Sequence, residues 1–370
     1  MRNVEGGSPV RVLSVVGARP QFIKLAPVSE ALERAGTDHI IVHTGQHYEA
    51  AMSDAFFEDL RIPTPDVALG IGSGSHGAQT GAMLVALEPF LEDISPDWVL
   101  VYGDTNSTIA GALAAVKLHL PVAHLEAGLR SFNRLMPEEH NRVLADHAAD
   151  LLLAPTAVAI RNLESEGLSD RAVLVGDVMV DVCLRVARVV AGRSVSDLST
   201  ALTPGGYVAA TLHRAENTDR PTRLTAVIAA LQKLSVPVVL PVHPRLRDRA
   251  AAAGIQLMQG SLIPISPLSY PAMLRLVLNA RSVVTDSGGL QKECYVLGVP
   301  CTTLRTETEW VETLTDGWNV INSDIRRLED QILRPVPNLV REPFFGDGNA
   351  SEAVVRTLGE AGNHKELDDS

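Results

Sequence analysis

Ser282-Val283-Val284-Thr285-Asp286-Ser287-Gly288-Gly289-Leu290-Gln291-Lys292-Glu293 reads as a buried strand running straight into a helix. Ser282–Thr285 is a short apolar run of the kind that parallel sheets cover on both faces. A helix-compatible pattern then continues to Leu297 and is closed by Gly298 and Pro300. Ser287, Gly288 and Gly289 therefore fall at a strand–helix junction. The first N–H groups of the helix and the positive end of its dipole point outward there. Two glycines remove the side chains that would hold a phosphate off. Glu293 stands one helical turn beyond Gly289, and its carboxylate can accept both hydroxyls of a ribose. The stretch predicts a nucleotide-diphosphate seat in an α/β fold. A tight turn without a ligand is the competing reading of the Ser-Gly-Gly triplet taken alone.

The same strand-then-helix grammar recurs along the chain. Apolar runs of strand length stand at 11–17, 40–44, 98–103, 121–125, 151–154 and 172–175, and again at 207–212, 236–242, 255–258, 282–285, 300–304 and 319–321. Alternation with helical segments implies βαβ units with right-handed crossovers. Two series are visible, with a seam near residues 180–205 that carries Ser194, Ser196, Ser199, Thr200 and Thr203-Pro204-Gly205-Gly206. The expected architecture is α/β, with two Rossmann-like doubly wound domains over 10–185 and 200–345. The ligand is expected at the carboxyl ends of the strands, in the cleft between the domains. A helix over 346–362 is expected to pack back on the first domain, with tails at 1–9 and 363–370 disordered.

Composition narrows the function class. The chain has 370 residues, a net charge of −12 and no basic run, which argues against nucleic acid as the main partner. Local Arg and Lys can still oppose that global sign for small anions. No apolar stretch is long enough to span a membrane. The polar, Gly-rich start from Met1 to Pro9 lacks the apolar core of a signal peptide, so the expected compartment is the cytoplasm. Cys183, Cys294 and Cys301 are too few and too scattered for a disulfide framework or a zinc site, and are read as buried thiols.

Chemistry-bearing residues gather at the predicted strand ends. Gly17-Ala18-Arg19-Pro20-Gln21-Phe22-Ile23-Lys24 follows the first strand, and its Arg19 and Lys24 suit a phosphate. In His43-Thr44-Gly45-Gln46-His47 the two histidines straddle a strand end and a loop, so they need not converge and no metal is expected. Gln46 is the better candidate there, as a polar contact. Asp104 follows one strand, Glu126 the next, and Glu138 opens the helix signalled by Pro137-Glu138-Glu139-His140-Asn141-Arg142. Carboxylates converging in a shielded cleft raise each other's pKa, which suits proton transfer near neutrality. Asp104 as a helix cap and Glu139 as a partner of the helix dipole are the structural alternatives. In the second half His213 and Arg214 are placed to hold a departing phosphate, with His243 a weaker candidate. Arg305 and Trp310 lie after the strand that follows the seat; Trp310 either faces a sugar or packs as an ordinary indole.

Taken in order, GARPQFIKLAP, YGDTNST, HLEAGLRS, PEEHNR, LHRAEN and TDSGGLQKE resemble the non-hydrolysing UDP-N-acetylglucosamine 2-epimerase family over roughly residues 11 to 350. The resemblance implies the two-domain GT-B fold, a homodimer, and catalysis without metal or nicotinamide cofactor. It also implies conversion of UDP-GlcNAc to UDP-ManNAc through elimination of UDP to a 2-acetamidoglucal. By position it makes Asp104, Glu126, Glu138 and His213 the catalytic set. Arg19, Lys24, Gln46, Arg142, Arg214, Ser287, Gly288, Gly289, Glu293 and Arg305 become substrate-binding residues. Two departures stand out: Trp310-Val311 replaces the Arg-Pro common after Thr-Glu, and His213-Arg214-Ala215-Glu216 replaces His-Arg-Arg-Glu. Both look more like the branch acting on UDP-2,3-diacetamido glucuronic acid. A UDP-dependent glycosyltransferase is the rival reading of the same fold.

Overall fold

The run Arg11–Val16 becomes a strand buried from Val12 onward, the central element of the first of two all-parallel sheets. The computed structural model describes residues 10–46, 62–196 and 202–368. The first sheet holds β1 (Arg11–Val16), β2 (Asp38–His43), β3 (Val67–Ala68), β4 (Trp98–Tyr102), β5 (Val122–Leu125), β6 (Leu151–Ala154) and β7 (Ala172–Leu174). Its spatial order is β3-β2-β1-β4-β5-β6-β7. The second holds β8 (Val208–Thr211), β9 (Val238–Pro241), β10 (Leu262–Ile265), β11 (Ser282–Thr285), β12 (Cys301–Thr303) and β13 (Asn319–Ile321). Its order is β10-β9-β8-β11-β12-β13. The two plans are the same. Each sheet grows outward from its first strand, then crosses back to start again on the other side. The crevices at β1/β4 and β8/β11 are therefore topological switch points, where loops leave in opposite directions and ligands are received.

Each sheet belongs to its own compact unit. One comprises the chain up to Val182 and from Phe344 onward; the other is Cys183–Pro343. In the first, Phe22, Leu25, Val28 and Leu32 of the helix Arg19–Arg34 pack down as a buried stripe. The helix Ala350–Asp368 lies against that helix, with Arg34 and Glu352 paired at 2.5 Å. Its N-terminus is capped by the Asp181 carboxylate, which accepts from the Ala350 and Ser351 N–H groups at 3.0 and 2.7 Å. That helix continues through Asp368, into the stretch assigned to a tail on sequence grounds. Ser199 and Thr200 of the expected seam, His47, and residues 1–9 lie outside the described residues.

In the second unit the two sheet faces have separate cores. One packs Leu212, Val238 and Leu240 against Leu224, Val227, Ile228 and Leu231 of the helix Pro221–Gln232. The other packs Tyr207, Ala209 and Val239 against Leu276 and Val277 of the helix Tyr270–Leu278, and against Leu290 and Cys294 of the helix Gly288–Leu297. All three cysteines are buried, and none is in a disulfide.

One strand is displaced from its expected place. Residues 255–258 form no strand; the partner of β9 is Leu262–Ile265, in register Leu262 to Val238. Pro264 weighs against a strand on sequence grounds, yet β10 is the sheet edge, where a missing N–H costs no ladder bond. Ile255 and Leu257 pack against the core instead, so their hydrophobicity reflects burial without pairing.

Gly128 shows how tightly the turn after β5 is set. It sits at φ +80°, and a β-carbon there would lie 2.4 Å from the Ala159 carbonyl oxygen. Gly128→Ala combines left-handed strain with a clash against backbone, and should cost at least about 2 kcal/mol. Thermal denaturation of the variant checks this; an unchanged midpoint would contradict the packing.

Candidate active site

At the β1/β4 switch point the first unit brings its charged candidates together in pairs. Glu126 ends β5 in the left-handed region at φ 75°, a conformation that costs a residue with a β-carbon roughly 1–3 kcal/mol and clusters at functional sites. Its carboxylate is ion-paired with Lys24, which projects from the helix after β1. Burial alone would depress the Lys24 ammonium. The Glu126 carboxylate outweighs this, with Asp104 and Asp177 further off, and the pKa lies above the ordinary lysine value. Gly103 separates this pair from the next: a β-carbon on it would meet Glu126 Oε2 at 3.0 Å and Lys24 Nζ at 3.1 Å. Asp104 follows at once and is ion-paired with Arg142. Arg142 is itself buried, with a second bond to Glu139 Oε2 at 3.0 Å.

Asp104 and Glu138 line one cavity of about 420 Å³ with Gln46, Asn106 and Asn141. Gln46 takes part through a fixed side chain, since its Oε1 accepts from the N–H and hydroxyl of Ser107 at 3.0 and 2.7 Å. Arg19 is exposed at the first position of its helix. The N–H groups of Gly17 and Ala18 are taken by Gln21 Oε1 at 2.8 and 2.9 Å. The turn after β1 is therefore self-capped, and any anion there has to rely on side chains.

The second unit gathers its candidates around β8 and β11. Asp286, fully buried, accepts from the His213 and Arg214 N–H groups at 3.1 and 3.0 Å, from Asn217 Nδ2 at 3.3 Å, and from His213 Nδ1 at 2.9 Å. Burial would raise its pKa, but the His213 side chain and the two N–H groups pull it below the ordinary carboxylate value. The bond to Nδ1 turns the other imidazole nitrogen outward, on a side chain that keeps 42% of its surface in solvent. One residue on, Ser287 Oγ caps the helix Gly288–Leu297 by accepting from Leu290 N at 3.3 Å. Gly289 is exposed, and a β-carbon there would meet only Ser287 Oγ, at 3.9 Å. Gly288 is pressed against Glu309 Oε1, which a β-carbon would meet at 2.6 Å. Arg305, expected as a substrate contact, is buried and bonded to Glu309 at 2.9 Å. Glu293, near the seat on the same helix, accepts from the Tyr270 hydroxyl at 2.7 Å.

The sequence profile of the family described as UDP-N-acetylglucosamine 2-epimerase matches residues 30–359. The chain belongs to that family. It is 47% identical over 357 residues to a UDP-N-acetylglucosamine 2-epimerase homolog of Methanococcus maripaludis, covering 94% of this chain and 99% of the relative. The UDP-2,3-diacetamido-2,3-dideoxy-D-glucuronate 2-epimerase of Pseudomonas aeruginosa is also 47% identical, over 359 residues, with the same coverage. Among solved structures it is similar to the Methanocaldococcus jannaschii UDP-GlcNAc 2-epimerase in complex with UDP-GlcNAc and UDP. There the TM-score is 0.85 at 38% identity, covering 95% of this chain and all of that one. The fold is therefore the GT-B-like pair of Rossmann-like domains that the motifs implied.

Several supporting residues were not singled out in the sequence of this family member. Asp286, Tyr270 and Asp146 are three, and His124, noted beside Glu126 at its strand end, was given no role. His124 is fully buried between Asp146 Oδ1 and the Gly103 carbonyl, 2.7 Å from each. It thereby holds the backbone that carries Asp104. Asp146 also accepts from the Gly128 N–H at 3.0 Å and from Arg130 at 2.7 Å. Burial would raise the Asp146 pKa, but His124 and Arg130 together lower it. A buried His at a strand end, with an Asp two turns inside the next helix, was the available signal. Glu139, assigned to the helix dipole, instead accepts from the Ser131 and Phe132 N–H groups at 2.9 and 2.8 Å and so closes the loop before its helix. Trp310 is only 4% exposed, and Lys292 Nζ sits 3.9 Å above its ring. It packs as a buried indole under a cation, the second of the two alternatives.

Tyr270 is expected to set the geometry of Glu293. A hydrogen bond to a charged group contributes about 1.5–3 kcal/mol. Tyr270→Phe should therefore weaken binding of UDP about ten-fold while leaving that of 2′-deoxy-UDP nearly unchanged. Calorimetric titration with the two nucleotides checks this; equal losses for both would assign Tyr270 to packing alone.

Proposed function

We propose that this chain is a non-hydrolysing 2-epimerase of a UDP-activated 2-acetamido sugar, interconverting UDP-GlcNAc and UDP-ManNAc. The observation that carries the reading is the grouping of Asp104, Glu126 and Glu138 at one switch point, two of them paired with buried cations. A nucleotide-binding module alone has no use for three clustered acids. The C2 proton of the sugar is not acidic enough for simple removal and return. In the proposed reaction the C1–O bond breaks and UDP leaves with the electron pair, while one carboxylate takes the C2 proton. The product is a C1=C2 double bond, the 2-acetamidoglucal. Return of a proton to the opposite face of C2, with attack of a UDP oxygen at C1, gives the epimer. Carboxylates supply the proton steps. His213, oriented by Asp286, and the helix start at Gly288–Gly289 stabilise the charge on the departing diphosphate. Glu293 accepts the ribose hydroxyls. Lys24 and Arg142 fix the acids, Arg305 braces Glu309 beside Gly288, and Arg19, Gln46 and Arg214 complete the substrate contacts. Action in the cytoplasm as a homodimer belongs to the same reading, and light scattering on the purified chain tests the dimer.

A second substrate is favoured by two particulars. Trp310 stands where the plain branch has Arg, and a relative at 47% identity is named for UDP-2,3-diacetamido-2,3-dideoxy-D-glucuronate. Incubation with UDP-GlcNAc in D₂O, followed by proton and phosphorus NMR, decides between them. A manno-type anomeric signal with deuterium at C2 and UDP still attached supports the first substrate and excludes a glycosyltransferase, since no acceptor is present. No exchange with UDP-GlcNAc, but exchange with the diacetamido uronic acid nucleotide, supports the second. Exchange with neither overturns the reading.

A further inference from the structure

The cavity that holds Asp104 and Glu138 is also lined by polar groups whose orientations are fixed by a relay of side-chain amides. His76, the first residue of the helix His76–Ile94, is exposed and lines that cavity, as does Gln46. Gln79, one turn into the same helix, is buried, and its Nε2 donates to the Gln46 and Gly72 carbonyls at 3.2 and 3.0 Å. Carbonyls only accept, so the orientation of this amide is settled and its Oε1 is left for Asn106. Asn106 Nδ2 donates to it at 2.8 Å.

That bond orients Asn106 in turn. The second hydrogen of its Nδ2 has His76 Nδ1 as acceptor, at 3.3 Å. Asn106 Oδ1 lies 3.4 Å from the same ring nitrogen, but it already accepts from Asn141 Nδ2. With Nδ1 accepting, the ring hydrogen of His76 is on Nε2, which has no partner among the described residues. Gln46 is set in the same way. Its Oε1 takes both bonds from Ser107, and its Nε2, on a residue only 9% exposed, is without a partner among the described residues. The cavity thus combines two unused N–H donors with the Asp104 and Glu138 carboxylates, and Ala18 and Pro20 add apolar lining.

We propose that His76 determines specificity for the 2-acylamino group of the sugar, its Nε2–H and the Gln46 amide both donating to the acyl oxygen. The proposal rests on the epimerase reading, which places C2 of the sugar at these acids, and both candidate sugars carry that oxygen. An acyl group brings one strong acceptor, which the two donors meet, and a methyl, which Ala18 and Pro20 cover. A hydroxyl at C2 is shorter and brings no carbonyl. Donors left unpaired on binding are what make a site reject an analogue that lacks the acceptor.

Calorimetric titration of the full chain tests this with four nucleotides. UDP-GlcNAc and UDP-2,3-diacetamido-2,3-dideoxy-glucuronate carry the acyl oxygen; UDP-glucose and UDP lack it. The better of the two acylated nucleotides is expected to bind the wild type about ten-fold more tightly than UDP-glucose, as one or two hydrogen bonds allow. His76→Phe should cut that advantage about five-fold while leaving UDP and UDP-glucose within about two-fold. His76→Gln, whose amide reaches the position of Nε2, should keep most of the advantage. An advantage unchanged in His76→Phe, equal losses for all four nucleotides, or no advantage in the wild type overturns the proposal and leaves the epimerase reading standing. Failure of UDP itself to bind overturns that reading, and the proposal with it.

Discussion

Glu126→Gln is expected to reduce turnover by about 10²–10⁴-fold, the range that a positioned acid or base contributes. UDP affinity should stay within about two-fold, because the proposed function assigns the nucleotide contacts to other residues. The substitution keeps the shape and a hydrogen bond for Lys24 but removes the charge that holds this buried ammonium. Some loss of stability therefore accompanies it, and kcat must be compared on protein shown to be folded at the assay temperature. Asp104→Asn should act alike, since Arg142 keeps Glu139 as a partner. Deuterium incorporation at C2 is the decisive readout. If both variants turn over normally, the site assignment falls, whatever the family.

Asp286→Ala is expected to be the most damaging single change in the second unit. It strips one acceptor from four donors in a fully buried position. Each buried donor left without an acceptor costs about 1–3 kcal/mol. The melting temperature should fall by many degrees, and UDP release should quicken because His213 loses its orientation. The same carboxylate gives a pH signature. Asp286 and Asp146 both have folded pKa values below the ordinary 3.8. The unfolded chain therefore binds protons first as pH falls. Their stabilisation is complete above about pH 4 and is lost as pH drops through the lower folded values. Acid unfolding of the wild type should be steep below that point. Asp286→Asn should be less stable at neutral pH but show a shallower acid limb; an identical acid limb would remove Asp286 from the account.

How much was legible in the sequence follows from what each signal depends on. β1, β4 and β11 could be read because a strand covered on both faces must be an apolar run, and Gly-rich turns at their ends mark where a helix starts. Asp104, Glu126, Glu138, His213 and the Ser287–Gly289 turn could be named because strand ends are where α/β folds place chemistry. β10 was misplaced, because pairing at a sheet edge tolerates the Pro264 that argues locally against a strand.

The partnerships were beyond reach of the sequence, since they join residues far apart along the chain. Lys24 meets Glu126 and Arg142 meets Asp104 across the switch point. Tyr270 reaches Glu293, and His124 reaches the Gly103 carbonyl. Trp310 turned from a possible sugar contact into the floor under Lys292. The sequence by itself determined which chemistry is present, because residue type and local pattern suffice for that. Only the tertiary structure decided which charges are neutralised and which donors stay unmet, because burial and pairing are properties of neighbours that the chain brings together only on folding.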